Sequence, residues 1–341
     1  MSVLGVLTAG GDCPGLNAVI RGVVSRAVER HDAEVVGVLN GWDGLMEGRT
    51  RPLGRNDVRG ILQRGGTILG TSRRDPYVHG DGYASCEQTI RRNGIDQLIV
   101  IGGDGTLRSA LRLAEEGLAV IGVPKTIDND INGTDVTFGF DTAVQVATDA
   151  LDRVTSTAEA HNRIMLVEVM GRTKGWIATY AGIAGGADAI LIPEIPFDLD
   201  EVASIIRTRH RRGRNYSIVV VAEGVQPPPG VDVPTRTDAF GFERLGGIAY
   251  RLAPRLEELT GYEVRVTVLG HVQRGGSPTA FDRVLATRLG VAAADLAVAG
   301  TSGVMVAVRG TKVVPVPLEE ACAEVRGVDP EIFDVAETFF G

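Results

Sequence analysis

Residues 98–130 constrain the fold more than any other stretch. An apolar run, Leu98-Ile99-Val100-Ile101, breaks into Gly102-Gly103-Asp104-Gly105-Thr106. A helical pattern follows, and a second apolar run, Val120-Ile121-Gly122-Val123, breaks into Pro124-Lys125-Thr126-Ile127-Asp128-Asn129-Asp130. Short apolar runs without alternation suit strands buried on both faces, and two such strands joined through a helix run parallel. Both polar loops then fall on one edge of one sheet, beyond the carboxyl ends of the strands, where open α/β sheets bind ligands. One loop brings glycines and an acid, and the other brings two more acids. This is the equipment of a phosphate-handling, metal-assisted centre.

The same grammar repeats along the chain. Residues 3–7 read as a strand meeting Thr8-Ala9-Gly10-Gly11-Asp12-Cys13-Pro14-Gly15, with a helix from Leu16 to about Arg30. Such a glycine loop lets backbone amides approach a phosphate, although an ordinary tight βα turn has the same look. Further strands are expected at 35–39, 164–169, 189–192, 217–222 and 264–269, and helices at 86–93, 140–155, 199–209 and 281–299. Residues 304–308 and 312–316 alternate around Arg309-Gly310-Thr311 as a hairpin. Residues 40–44 read as a loop, 65–74 as a glycine-rich turn ending in two arginines, and 226–247 as a long polar connection. Strands alternating with helices predict mostly parallel sheets, and 341 residues suffice for two domains at about 150 each. Residues with chemistry recur after strands, at Gly11, Arg73, Asp104, Asp128, Arg172, Glu223 and Arg274.

Composition narrows the class. A net charge of −8 argues against unspecific nucleic-acid or membrane-surface binding. Cys13, Cys86 and Cys322 form no CxxC pair and no metal-spaced cluster, which fits a reducing compartment. Cys13 reads as a small buried residue. No run approaches about 18 apolar residues and no leader pattern opens the chain, so a cytoplasmic location is expected.

Phosphoryl transfer needs a cradle for the donor, a cation on its oxygens, an acceptor oxygen in line and a base. Asp104 is the expected Mg²⁺ ligand, because Mg²⁺ takes one or two carboxylates and completes its shell with phosphate and water. Asp128 is the expected base, with Thr126 beside the transferred group; helix capping is the alternative for these Asx and Thr residues. Arg163, Arg172, Arg265 and Arg274, with His271, offer the donors that a phosphate ester requires. No GxxxxGK[ST] sequence is present.

Together these stretches resemble the phosphofructokinase family. The matching segments are GVLTAGGDCPGLNAVIRG (5–22), GGTILGTSR (65–73), IGGDGT (101–106), PKTIDND (124–130), NRIMLVEVMGR (162–172), AEG (222–224) and VRVTVLGHVQRGGSP (264–278), in family order. The resemblance implies two Rossmann-like three-layer α/β/α domains with the active site in the cleft between them. Residues 1–139 plus about 275–300 would bind nucleotide and Mg²⁺, and 140–274 plus about 301–341 would bind fructose 6-phosphate. It implies transfer from ATP to the 1-hydroxyl of fructose 6-phosphate. Gly11, Arg73, Arg74, Gly103, Asp104, Gly105 and Thr106 would contact ATP. Asp128 would be the base, with Thr126 and Arg172 at the transferred group. Thr126, Ile127, Met170, Gly171, Arg172, Glu223, His271, Val272, Gln273 and Arg274 would line the sugar-phosphate site, with Arg163 and Arg265 reaching in from a neighbouring subunit of a homodimer or homotetramer.

Within that family the pyrophosphate-using pattern is GGDDT followed by PKTIDND. Gly105 here keeps the nucleotide's space open and favours ATP, whereas Lys125 matches the pyrophosphate pattern. These two positions are the expected determinants of donor choice. A pyrophosphate-dependent phosphotransferase is the nearest rival, and a non-catalytic nucleotide sensor the rival from another class.

Overall fold

The computed structural model describes residues 1–78, 80–228 and 245–341. In chain order the strands are β1 (Val3–Thr8), β2 (Glu34–Val38), β3 (Thr50–Pro52), β4 (Gln97–Gly102), β5 (Val120–Pro124), β6 (Ile164–Val169), β7 (Ala189–Leu191), β8 (Ser217–Ala222), β9 (Val264–Val268), β10 (Val304–Arg309) and β11 (Lys312–Pro317). The helices are α1 (Leu16–His31), α2 (Gly41–Glu47), α3 (Gly82–Arg92), α4 (Asp104–Glu115), α5 (Phe140–His161), α6 (Trp176–Ala184), α7 (Leu199–Arg211), α8 (Ile248–Thr260), α9 (Ala280–Val298), α10 (Leu318–Ala323) and α11 (Pro330–Glu337).

The chain forms two units. The first comprises Met1–Thr142 and Arg274–Val325. Its seven-stranded sheet has the order β11-β10-β5-β4-β1-β2-β3. Pairing is parallel from β2 through β1, β4 and β5 to β10, with β3 and β11 antiparallel at the edges. The two apolar runs of the opening motif are β4 and β5, adjacent and parallel. Leu98 and Val100 pack on one face with Trp42 and Leu45 of α2, Ile90 of α3 and Leu107 of α4. Ile99 and Ile101 are equally buried on the other face, where α1 and α9 lie together. A Cβ on Gly22 or Gly290 would fall 2.9 Å from Thr287 O or 2.4 Å from Val19 O, so those glycines set how closely α1 and α9 approach.

The second unit comprises Ala143–Gln273 and Arg326–Gly341. Its sheet, β7-β8-β6-β9, is parallel throughout, with β6 and β8 buried along their whole length.

Three expectations are corrected. Residues 301–325 belong to the first unit, not the second, because β10 pairs with β5 and extends that sheet. Residues 41–47 are helical rather than a loop. Trp42 and Leu45, three residues apart, are 2% and 0% exposed, so burial overrides the turn-like composition. Arg73 and Arg74 follow no strand, since they lie in the irregular stretch between β3 and α3. Of the long connection at 226–247, residues 229–244 lie outside the described residues.

Candidate active site

In the first unit the loops after β1, β4 and β5 stand side by side at the carboxyl edge, because those strands are neighbours. The loop after β4 enters α4 at once. Gly103 is the extended N-cap and Asp104 the first helical residue, where the helix dipole favours negative charge. The Asp104 carboxylate accepts from Arg108 Nε at 2.9 Å, one turn on. Thr106 is 7% exposed, and a Cβ on Gly105 would meet nothing within 4 Å.

The loop after β5 is buried and braced. Thr126, Asp128, Asn129 and Asp130 are all buried. Asp128 N donates to Thr126 Oγ1 at 3.0 Å, and Asn129, in the left-handed region (φ 51°), accepts from Thr137 N at 3.0 Å. Thr137 Oγ1 donates to Thr126 O at 2.8 Å. Asp128 Oδ1 is buried without a hydrogen-bond partner. A buried carboxylate oxygen left unsatisfied costs free energy, so its retention marks a place for an incoming donor such as a substrate hydroxyl.

The glycine loop after β1 is tied down from several sides. Gly10 N donates to Ser72 O at 2.8 Å and Thr71 Oγ1 donates to Gly10 O at 2.6 Å, so residues 71–72 dock against this loop although no strand precedes them. Lys125 Nζ donates to Gly11 O, and Arg274 Nη1 donates to Asp12 O at 3.4 Å. Lys125 is 3% exposed, and burial pulls its amine below the ordinary lysine range. Arg274, expected at the sugar phosphate, thus contacts the β1 loop within the first unit. Arg74 pairs with Asp43 at 3.4 Å, while Arg73 is exposed. Cys13 is fully buried and its thiol is pushed up by that burial, as expected for a packed rather than a reactive cysteine.

In the second unit, Met170-Gly171-Arg172 follows β6, Glu223 follows β8, and a 3₁₀ turn (Gly270–Arg274) carrying His271, Val272 and Gln273 follows β9. Glu223 Oε1 accepts from Arg172 N at 3.0 Å and holds Arg172 in the left-handed region (φ 55°). A Cβ on Gly224 would lie 2.0 Å from Arg172 O, so only glycine fits there. His271 and Val272 are exposed, and Gln273 is buried.

Arg163 and Arg265 stand apart from that group. Arg163 precedes β6 and Arg265 is the second residue of β9, so both sit at the amino edge of the sheet. Six strand residues at about 3.3 Å each put roughly 20 Å between this edge and Arg172. Both arginines bind Glu263, Arg163 Nε at 2.5 Å, and these bonds hold the Glu263 carboxyl below the usual range.

Sequence reasoning missed two buried carboxylates that carry the site's supports. Asp282, 0% exposed, accepts from Gly139 N at 2.9 Å and from the Thr142 amide at 2.8 Å, anchoring the start of α5. Glu168, the penultimate residue of β6, accepts from Gly247 N at 2.7 Å and Ala249 N at 2.9 Å, capping α8. Glu168 interrupts an apolar strand run, which is the one signal that pointed to it. Among the described residues no group of three or more His, Cys, Asp or Glu side chains forms a metal cage. No helix among them is long and apolar enough to cross a membrane.

Parallel α/β units with a glycine-rich loop, an aspartate opening a helix and a buried carboxylate oxygen without a hydrogen-bond partner at one sheet edge define the class of a phosphotransferase. This chain belongs to the phosphofructokinase family, whose model (Phosphofructokinase) matches residues 3–297. It is 54% identical over 99% of both chains to a pyrophosphate–fructose 6-phosphate 1-phosphotransferase of Amycolatopsis methanolica. It is also 54% identical, again over 99% of both chains, to an ATP-dependent 6-phosphofructokinase of Mycobacterium bovis. Among solved structures it resembles Pichia pastoris phosphofructokinase in the T-state, with a TM-score of 0.84 and 33% identity, over 99% of this chain and 36% of that longer one.

Proposed function

We propose that this protein is an ATP-dependent 6-phosphofructokinase, transferring the γ-phosphoryl group of ATP to the 1-hydroxyl of fructose 6-phosphate to give fructose 1,6-bisphosphate and ADP. The buried, unpaired Oδ1 of Asp128 beside the Gly103–Thr106 loop carries this reading. As the O–P bond forms, Asp128 takes the proton of the attacking hydroxyl, and Thr126 and Arg172 hold the transferred group. Gly11, Arg73, Arg74 and residues 103–106 contact the donor. Ile127, Met170, Gly171, Glu223, His271, Val272, Gln273 and Arg274 position the acceptor.

The residues fit Mg²⁺ bound with a nucleotide. Asp104 offers one carboxylate without a surrounding cage, and Mg²⁺ completes such a shell with phosphate and water oxygens. When bound, the ion neutralises charge on the donor's phosphate oxygens. Arg163 and Arg265 lie about a strand length from Arg172 and serve a neighbouring subunit's acceptor, which makes the enzyme a homo-oligomer. The location is cytoplasmic.

Gly105 favours ATP because the space beside its Cα is open. The equally similar relatives named for pyrophosphate keep a second reading alive, in which pyrophosphate is the donor. A matrix of ATP and pyrophosphate against several sugar phosphates decides between them. Faster turnover of fructose 6-phosphate with ATP is expected. Faster turnover with pyrophosphate rejects the ATP assignment, and none with any pair favours a nucleotide sensor.

A further inference from the structure

Glu263 binds both arginines at the amino edge of the second unit's sheet, one with each carboxylate oxygen. Arg163 Nε donates to Oε2 at 2.5 Å, and Arg265 Nη2 donates to Oε1. The strands bring the three groups together. β6 and β9 pair Ile164 with Val264, so Arg163 and Glu263 stand level just ahead of that pair. Side chains alternate along a strand, so Glu263 and Arg265 share the face opposite buried Val264. The backbone here is fixed from several sides. Arg163 N donates to Ala158 O at 3.1 Å, Ser217 N to Arg163 O at 3.2 Å, and Ile164 N to Glu263 O at 3.0 Å. Tyr262, next to Glu263, stacks on His210 of α7 with 3.9 Å between ring centroids. Freedom at this edge therefore resides in the long arginine side chains.

Two guanidinium groups repel one another, and each arginine side chain loses rotamer freedom when it is held in place. A carboxylate between them offsets the repulsion and restrains both side chains before any ligand arrives. Guanidinium carries five N–H donors, and one from each arginine engages Glu263. A doubly negative phosphate ester that needs both arginines thus meets them already paired. We infer that Glu263 is a positioning residue that gathers Arg163 and Arg265 into one phosphate-binding pair, and so sets affinity for the acceptor without taking part in the transfer. Strand register gives it this role, not contact with the reacting atoms. The inference rests on the reading that both arginines bind the acceptor's phosphate.

Glu263→Ala and Glu263→Gln, with Arg163→Ala, Arg265→Ala and the double variant Glu263→Ala/Arg265→Ala, test it. After a thermal melt confirms folding, each is assayed for kcat, for KM toward the donor and toward fructose 6-phosphate, and for fructose 6-phosphate binding by calorimetry. Glu263→Ala is expected to raise KM for fructose 6-phosphate about fivefold or more, with kcat and donor KM within about twofold of wild type. In the Arg265→Ala background the same substitution should change that KM by less than about twofold, because no pair is left to gather. Glu263→Gln, which keeps one acceptor oxygen, should fall between wild type and Glu263→Ala. A fructose 6-phosphate KM that stays unchanged or falls in Glu263→Ala overturns the proposal, and a fall would mean that the carboxylate competes with the phosphate. A matching loss in kcat and donor KM, or an equal effect in both backgrounds, also overturns it. If Glu263→Ala does not fold, Glu263→Gln decides alone. Arginine variants that leave the fructose 6-phosphate KM unchanged overturn the acceptor reading of the pair instead. Wild-type protein that turns over no donor overturns the kinase reading, and weaker fructose 6-phosphate binding by Glu263→Ala then still supports the positioning role. Wild-type protein that binds no fructose 6-phosphate overturns both.

Discussion

At the scale of single residues, the proposed function assigns Asp128 as the base and Gly105 as the gatekeeper of donor choice. The Oδ1 of Asp128 makes no hydrogen bond that an amide would remove. Asp128→Asn should therefore keep the wild-type melting temperature within a few degrees while lowering kcat by about 10²–10⁴. Stopped-flow or coupled assays beside calorimetry check this, and residual activity close to wild type would remove Asp128 from the role of base. Gly105→Asp should fold, since its Cβ enters open space. A carboxylate there repels the nucleotide's phosphates, so kcat/KM for ATP should drop by about tenfold or more. Unchanged ATP kinetics would show that position 105 does not face the nucleotide. Both residues were legible in the sequence, because glycine-rich loops and acids after buried strands are local patterns. Lys125 was equally conspicuous, but its partner, the Gly11 carbonyl, lies more than a hundred residues away and no local pattern reveals it.

At the scale of elements, buried carboxylates fix where helices begin. Burial raises the Asp282 carboxyl from 3.8 to about 6. A folded-state pKa above the unfolded value means that the native protein binds the extra proton between these values. Stability contributed by the protonated acid is thus present at pH 4 and lost as pH rises through about 6, amounting to roughly 3 kcal/mol. Wild type should lose that stability between pH 4 and 7 relative to Asp282→Asn, on top of a pH-independent offset from the amide donor that asparagine cannot serve. Urea midpoints at several pH values measure the difference, and a flat difference refutes the coupling. Glu168→Ala strands the Gly247 and Ala249 amides and should destabilise the protein by about 3 kcal/mol. Thermal or urea unfolding reads this directly. A stability unchanged from wild type would mean that water replaces the carboxylate. Helix and strand positions themselves followed from apolar periodicity, and α2 was missed because Trp42 and Leu45 were hidden among turn-forming residues.

At the scale of the whole molecule, the functional groups divide by sheet edge. Arg172 and Glu223 occupy the carboxyl edge of the second unit's sheet, and Arg163 and Arg265 the amino edge. If Arg163 and Arg265 serve a neighbour, inactive Asp128→Asn and Arg265→Ala chains should complement each other when co-assembled. A hybrid site combines the intact base of one chain with the intact arginine of the other. Recovery of a substantial fraction of wild-type activity in tagged, purified hybrids is expected, and hybrids as inactive as either parent would place Arg265 outside any shared site.

The sequence by itself determined the alternation of strand and helix, the parallel pairing of β4 with β5, the sheet edge on which the candidate residues fall, and the family. These follow from patterns spanning a few residues, where burial and backbone sterics act locally. Tertiary structure decided the rest. It set the return of β10 to the first sheet, the docking of residues 71–72 on the β1 loop, and the anchoring of α5 and α8 by Asp282 and Glu168. It also placed Lys125 beneath Gly11 and Arg163 at the far edge from Arg172. Each of these depends on a hydrogen bond or strand pairing between distant segments, and such partners are chosen by the packing of the folded chain.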